Sequence, residues 1–193
     1  MKGIDGFIHA TEEKHDPEVV AYGMLMLLDG VVTFCVLLLC GFIFHKIIPT
    51  LIYILYSYIV AGATGSYHAS SHIKCWVVSF AMYLAAIFVP GSCSESLFWK
   101  VSSICIPICL ILVWLVAPVE HPDKPLMTKI CLRNKWKSRF YIVVTACLII
   151  IFQKNHRQIA GILLVNMMEV VILMMIGKVV NRTHEESIIL RYR

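Results

Sequence analysis

Charge is what this sequence has least of. Only 15% of its 193 residues are Asp, Glu, Lys or Arg, against 59% hydrophobic and a mean hydropathy of +0.79, where a soluble domain carries about 25% charged residues. Too few polar side chains are present to clothe a water-facing surface, which excludes a soluble globular enzyme. Internal repeats and low-complexity tracts are also missing, and with them solenoid and linker architectures. The first 18 residues are polar and acidic (Asp5, Glu12, Glu13, Asp16, Glu18) and run into a long apolar stretch without an obvious cleavage site. A cleaved secretory leader is therefore not expected. At this length we expect one membrane-embedded unit over residues 1–193 and no separate soluble domain.

What the sequence does have is apolar runs, at 19–44, 47–61, 73–90, 96–117, 140–153 and 157–180. A spanning helix needs about 20 apolar residues. The first, fourth and sixth runs reach that length; the second and fifth fall short and are expected to be tilted, to sit in thinned bilayer or to be partly re-entrant. The expected fold class is all-α, a polytopic integral membrane protein of about six transmembrane or partly re-entrant helices. Pro49 suits the first turn of the second helix, Pro90–Gly91 is expected to end the third and Pro118 the fourth, and Pro107 to kink the fourth.

The connection from Ala117 to Arg139 carries Lys124, Lys129, Arg133, Lys135, Lys137 and Arg139 against Glu120 and Asp123. The positive-inside rule makes this basic loop, 118–139, cytoplasmic. Counting crossings outward puts the Pro90–Glu95 turn outside, Lys74 inside and both termini in the cytoplasm. Lys178, Arg182, Arg191 and Arg193 agree with that, whereas the basic turn Lys154–Arg157 falls outside. The basic loop has two readings, topology alone or attraction of an acidic peptide or anionic lipid heads by Lys129, Arg133, Lys135 and Lys137. Asp29 and Glu169 lie within apolar runs, where a carboxylate marks a function or a polar partner; Asn166 shares the helical face of Glu169. A structural polar patch is favoured over a proton path. Cys35, Cys40, Cys105, Cys109 and Cys147 also lie in apolar runs and read as small packing hydrophobes.

The most unusual stretch is Gly65–Cys75, GSYHASSHIKC. It sets His68, Ser70, Ser71, His72, Lys74 and Cys75 between two membrane segments. A thiol attacks only as thiolate, and a nearby imidazole or cation favours that form; a cysteine with a histidine is the smallest set for acyl transfer. Three readings stand together here: a polar interhelical loop in which Cys75 merely packs; a metal set of His68, His72 and Cys75, of which only the histidine pair has the usual zinc spacing; and a thiol peptidase or acyltransferase. In a continuous helix, residues seven apart are separated by about 10.5 Å along the axis, so His68 reaches Cys75 only if the chain breaks, for which the small residues 61–66 give room. His72, three residues before the thiol, is adjacent on a helix surface and is the base that local geometry prefers. Ser70, Ser71 and the first N–H groups of the third helix are candidate oxyanion donors.

Gly65-Ser66-Tyr67-His68-Ala69, with Cys75 seven residues after the histidine, together with Ala117-Pro118-Val119-Glu120-His121-Pro122-Asp123-Lys124-Pro125-Leu126, resembles the accessory gene regulator B family of membrane cysteine endopeptidases. Length and hydrophobic layout agree over nearly the whole chain. The resemblance implies that Cys75 is the nucleophile and His68, not His72, its base. It implies a precursor peptide as substrate, with an amphipathic amino-terminal part, a cysteine-containing core and an acidic tail. Tail removal through a thioester would be followed by closure of a thiolactone, giving a cyclic quorum-sensing peptide. It further implies a homodimer among membrane lipids, no cofactor or metal, and no nucleic-acid partner. The chain departs from the family where basic residues usually precede a Gly-Gly pair; here Ala61 and Gly62 are followed by Gly65-Ser66. The alternative from another class is a small transporter or channel subunit lined by Asp29 and Glu169, which would keep its function in Cys75→Ala.

Overall fold

The computed structural model describes residues 17–65, 72–119 and 128–191. Six helices carry nearly all of them: α1 Pro17–Ile43, α2 Ile47–Thr64, α3 His72–Ser92, α4 Glu95–Val116, α5 Thr128–Phe152 and α6 Arg157–Arg191. No strand occurs among the described residues, so the chain is all-α. Ile47–Thr64, Glu95–Val116 and Arg157–Asn181 are each long and apolar enough to cross a bilayer, and Leu27–Ile43 and Trp76–Ser92 are shorter apolar stretches. This is the layout of a polytopic membrane protein. The chain forms two compact units, Met1–Val36 and Leu37–Arg193. In the first, α1 exposes Leu27, Leu28, Val31 and Phe34, and Asp29 is half-buried.

Local chemistry explains the helix ends. After Ile43 the chain closes α1 with paired bonds, Lys46 N–H to the Gly41 carbonyl (2.7 Å) and His45 N–H to the Phe42 carbonyl (3.1 Å). His45 takes the left-handed conformation, φ 53°, that such a double cap requires. Pro49 sits in the first turn of α2, where no N–H is needed. The Ser94 hydroxyl caps α4 by accepting from Leu97 N–H at 3.3 Å. Pro107 lies in the interior of α4.

Two expectations need correction. Pro90 does not end α3; the helix runs on to Ser92 with Pro90 inside it, because a proline in the last turn removes only one helical hydrogen bond. The basic segment read as a loop to Arg139 is helical from Thr128 onward. No glycine or proline interrupts residues 126–160, and Lys and Arg are good helix formers.

Helix α6 is the axis of the second unit and packs on α2, α3, α4 and α5. Of its apolar window 61% is buried, against 22% for α4, so α4 shows most of its surface outward while α6 is enclosed. Met167, Val170, Val171 and Met174 of α6 meet Val113 of α4, Ile142 and Ile149 of α5 and Val60 of α2. A second cluster joins Leu37, Tyr53, Tyr83, Ile87 and Ile162. Polar side chains tie the helices where hydrocarbon offers no water. Thr50 and Tyr83 share a hydrogen bond of 2.8 Å. The Asn166 amide donates to the Tyr53 carbonyl at 3.0 Å and accepts from the Ser57 hydroxyl at 3.1 Å.

Where α6 crosses α3, the backbones come close because Gly161 has no side chain. A Cβ there would overlap the Pro90 ring, whose Cγ would lie 2.9 Å away. Gly161→Ala is therefore expected to lower stability by about 1–3 kcal/mol, the usual cost of overpacking, read as a fall in the unfolding midpoint of the purified protein. Gly91→Ala, with open space around the new methyl, serves as the comparison and is expected not to lower the midpoint.

Candidate active site

The last turn of α2 is sealed before the chain leaves it. Thr64 is fully buried and its hydroxyl donates to the Val60 carbonyl at 3.0 Å. Gly65 N–H donates to the Ala61 carbonyl at 3.0 Å. Gly65 itself has φ 73° and ψ 149°, close to a region that essentially only glycine occupies.

The end of α4 comes to the same point. Ala117 is buried and its N–H still bonds the Val113 carbonyl at 3.1 Å; the Ala117–Pro118 peptide is cis. Val119 N–H then donates to the Thr64 carbonyl at 2.9 Å, and a Cβ on Gly65 would run into the Val119 carbonyl oxygen. The two segments singled out in the sequence, the one leaving Gly65 and the one leaving Ala117, thus start from a single backbone junction.

Helix α3 begins seven residues after Gly65, within about 25 Å of the junction at full extension. The backbone of His72, Lys74 and Cys75 belongs to its first turn. There the first amide groups have no helical partners and lie at the positive end of the helix dipole. His68, Ser70 and Ser71 fall outside the described residues, so the pairing of His68 with Cys75 and the metal set of His68, His72 and Cys75 lie outside them too.

The basic residues lie on α5. Lys129, Arg133 and Lys137 recur every four residues and so share one helical stripe, with Arg133 and Lys137 exposed; Lys135 is half-buried off that stripe. Arg139 does something the sequence reading missed. Its guanidinium donates to the Trp114 carbonyl at 3.0 Å and lies 4.4 Å over the Trp114 ring and 5.7 Å from that of Trp136. A cation on the last-turn carbonyls of α4 is well placed for the helix dipole, and stacking on indole adds to it. The clamp fixes α5 to the end of α4 just before the junction. The sequence signal for it was a Trp three residues before Arg139 and a second Trp near the end of the preceding apolar run.

Glu169 is elsewhere. It sits in the middle of α6, 8% exposed, with the Tyr53 hydroxyl as its polar neighbour. Of the cysteines expected to pack, Cys109 is buried, Cys40 and Cys105 are half-buried, and Cys35 and Cys147 are exposed.

A family model, AgrB (Accessory gene regulator B), matches residues 4–185. No curated protein and no solved structure matches the chain.

Proposed function

The chain belongs to the accessory gene regulator B family, which processes quorum-sensing peptides at the membrane, and from that premise we propose that it is a cysteine endopeptidase in which Cys75 attacks and His68 serves as base. The observation that carries the reading is the junction of Gly65 with Val119. It holds the roots of both family-like segments together, and α3, whose first turn carries Cys75, begins seven residues after Gly65.

In this reading the His68 imidazole takes the proton of the Cys75 thiol, and the thiolate adds to the carbonyl carbon at the end of the peptide core. The C–N bond breaks, the imidazolium gives its proton to the departing amine, and the acidic tail leaves. The core is then held on Cys75 as a thioester. The thiol of the core's own cysteine attacks that thioester, forming a thiolactone and releasing the Cys75 thiol. One thioester replaces another, so the closure needs no nucleotide. Keeping the two sulfur atoms close favours ring closure over hydrolysis. First-turn N–H groups of α3, with Ser70 or Ser71, would receive the oxyanion.

Trapping decides it. Enzyme quenched in acid during turnover of a precursor should carry the mass of the amino-terminal part plus core on the peptide containing Cys75, and hydroxylamine should remove it. A precursor processed with residue 75 never acylated would falsify the assignment.

The exposed stripe of α5 suits an acidic tail. Replacing the tail's carboxylates by amides is expected to raise KM several-fold and to leave kcat nearly unchanged, with the difference shrinking at high salt as charges are screened. Undiminished cleavage of the neutral-tail precursor removes this steering role and leaves the basic residues to topology. The same residues orient the junction end towards the cytoplasm in this reading.

A further inference from the structure

Only Cys93 and Ser94 separate α3 from α4, a connection short enough to set antiparallel neighbours side by side. The two helices nonetheless do not close on one another. Each packs against α6 instead, and between them is a cavity of about 550 Å³. Small side chains, Ala81 and Ala85, keep the α3 wall back, while Phe98 and Val101 form the α4 wall. Leu164 and Met168 of α6 make the floor.

No oxygen or nitrogen atom is exposed in this space. Glu169 contributes only hydrocarbon to it, since its carboxyl turns to the Tyr53 hydroxyl on α2. Val89, Val101 and Ile172 line the cavity and are also exposed on the outer surface, so it is a groove open sideways. Its dimensions decide what fits. Along α6 the lining runs from Gly161 to Ile172, about 17 Å at 1.5 Å per residue, close to the roughly 15 Å of hydrocarbon in one leaflet. One end lies at the α3–α4 turn, where exposed Ser92, Ser94 and Glu95 mark the membrane surface; the other lies near mid-membrane. Spread over that length, the volume is about 6 Å wide. A helix with its side chains is about 10–12 Å across, which excludes both a helix of a second copy and a helical peptide. An extended hydrocarbon chain fits, and leaving the groove empty would forfeit the dispersion contacts of its lining.

We propose that the groove holds one phospholipid acyl chain lengthwise between α3 and α4, with the headgroup at the Cys93–Ser94 turn. The chain is a resident wedge, replacing the contacts that α3 and α4 do not make with each other. The charges nearest the turn in sequence are Glu95 and Lys100, one of each sign, so the site reads the chain and is indifferent to headgroup charge. The inference does not rest on the peptidase reading, since no residue of the groove belongs to the Gly65–Cys75 segment.

The test uses the full chain in phosphatidylcholine nanodiscs doped with a phosphatidylcholine that carries a diazirine midway along one acyl chain. After illumination and digestion, adducts on Ala81, Ala85, Leu164 and Met168 are expected at least fivefold above those on Ile104, which faces outward on α4, 60% exposed, at a similar distance from the turn. A phosphatidylglycerol probe should label the groove to the same extent. Ala85→Phe, whose ring occupies the path of the chain, should lower the groove adducts at least fivefold and leave those on Ile104 unchanged. As a second readout, lysophosphatidylcholine added to the detergent-purified parent should raise its unfolding midpoint, more with a hexadecanoyl than with an octanoyl chain, and Ala85→Phe should lose that response. Should Ala85→Phe not fold, Val101→Phe fills the groove from the other wall and is read in the same way. Groove adducts no more frequent than those on Ile104, undiminished labelling in a folded filled variant, or a midpoint response that the variant keeps each overturns the proposal; the first would leave the groove to ordinary surface lipid.

Discussion

Cys75→Ala is expected to reduce precursor cleavage by at least about a thousandfold, the scale on which removing a covalent nucleophile is felt, while leaving the protein folded in detergent. His68→Ala should fall nearly as far at neutral pH, but with a diagnostic difference. A free thiol ionises near pH 8.5, so solvent can do part of the base's work as the pH rises. Residual activity in His68→Ala should therefore climb between about pH 7 and 9, whereas Cys75→Ala stays inactive throughout. His72→Ala should stay within about threefold of the parent, the size of effect expected from a neighbour that takes no proton. Cleavage assays on reconstituted protein read all three. The opposite pattern, with His72→Ala inactive and His68→Ala active, would hand the base to the residue that local helix geometry prefers. Inhibition by chelators but not by thiol alkylation would revive the metal set, and full function in Cys75→Ala would favour a transporter.

The second large effect is at Gly65. Gly65→Ala faces two penalties at once. Its φ of 73° and ψ of 149° cost a side-chain-bearing residue about 1–3 kcal/mol, and the new methyl meets the Val119 carbonyl oxygen, a backbone atom that cannot rotate aside. We expect a lowered unfolding midpoint together with a loss of cleavage of at least about tenfold, because an error of about 1 Å in the placement of a reacting group is enough for that. Gly62→Ala, three residues earlier in α2 and with nothing near the added carbon, should do the reverse and stabilise by about 0.5–1 kcal/mol, the normal gain of alanine over glycine inside a helix. If both variants behave alike in cleavage and in thermal unfolding, the junction has no role in setting up the site.

How much of this was legible beforehand can be traced residue by residue. Hydropathy located all six helices in order, and the first four to within a few residues, because their limits coincide with the change from apolar to polar side chains. It failed for α5 and α6, whose helices continue through KICLRNKWKSR and beyond Lys178. The apolar pattern marks where hydrocarbon would be, while backbone hydrogen bonding continues wherever no residue forbids it. Pro90 lies inside α3 rather than at its end because a proline in the last turn removes only one hydrogen bond, and the contact of its ring with Gly161, 71 positions away, could not be read from the sequence. Of the candidate site, the residue types and their spacing were visible, and so was the need for a bend after the small residues 61–66. Not visible was the partner of that bend. Nothing in the sequence says that Val119 lies against Gly65, that Arg139 clamps Trp114, or that Glu169 faces Tyr53, since each pairing joins separate helices or the segments that follow them.

The length of α6 has a practical use. From the level of Pro90 beside Gly161, α3 reaches back 18 residues to His72; the same climb on α6 ends at Val179, about 27 Å higher at 1.5 Å per residue. The remaining residues to Arg191 add roughly 18 Å of helix, and a hydrocarbon core of about 30 Å has no room for them. The carboxy-terminal end of α6 and the first turn of α3 thus lie at the same end of the bundle, and the helix beyond Val179 is expected to stand off the membrane there. A reporter fixed to its tip, probed with reagents that cannot cross a bilayer, reads out which compartment the Cys75 end of the bundle faces without touching a single residue near the thiol.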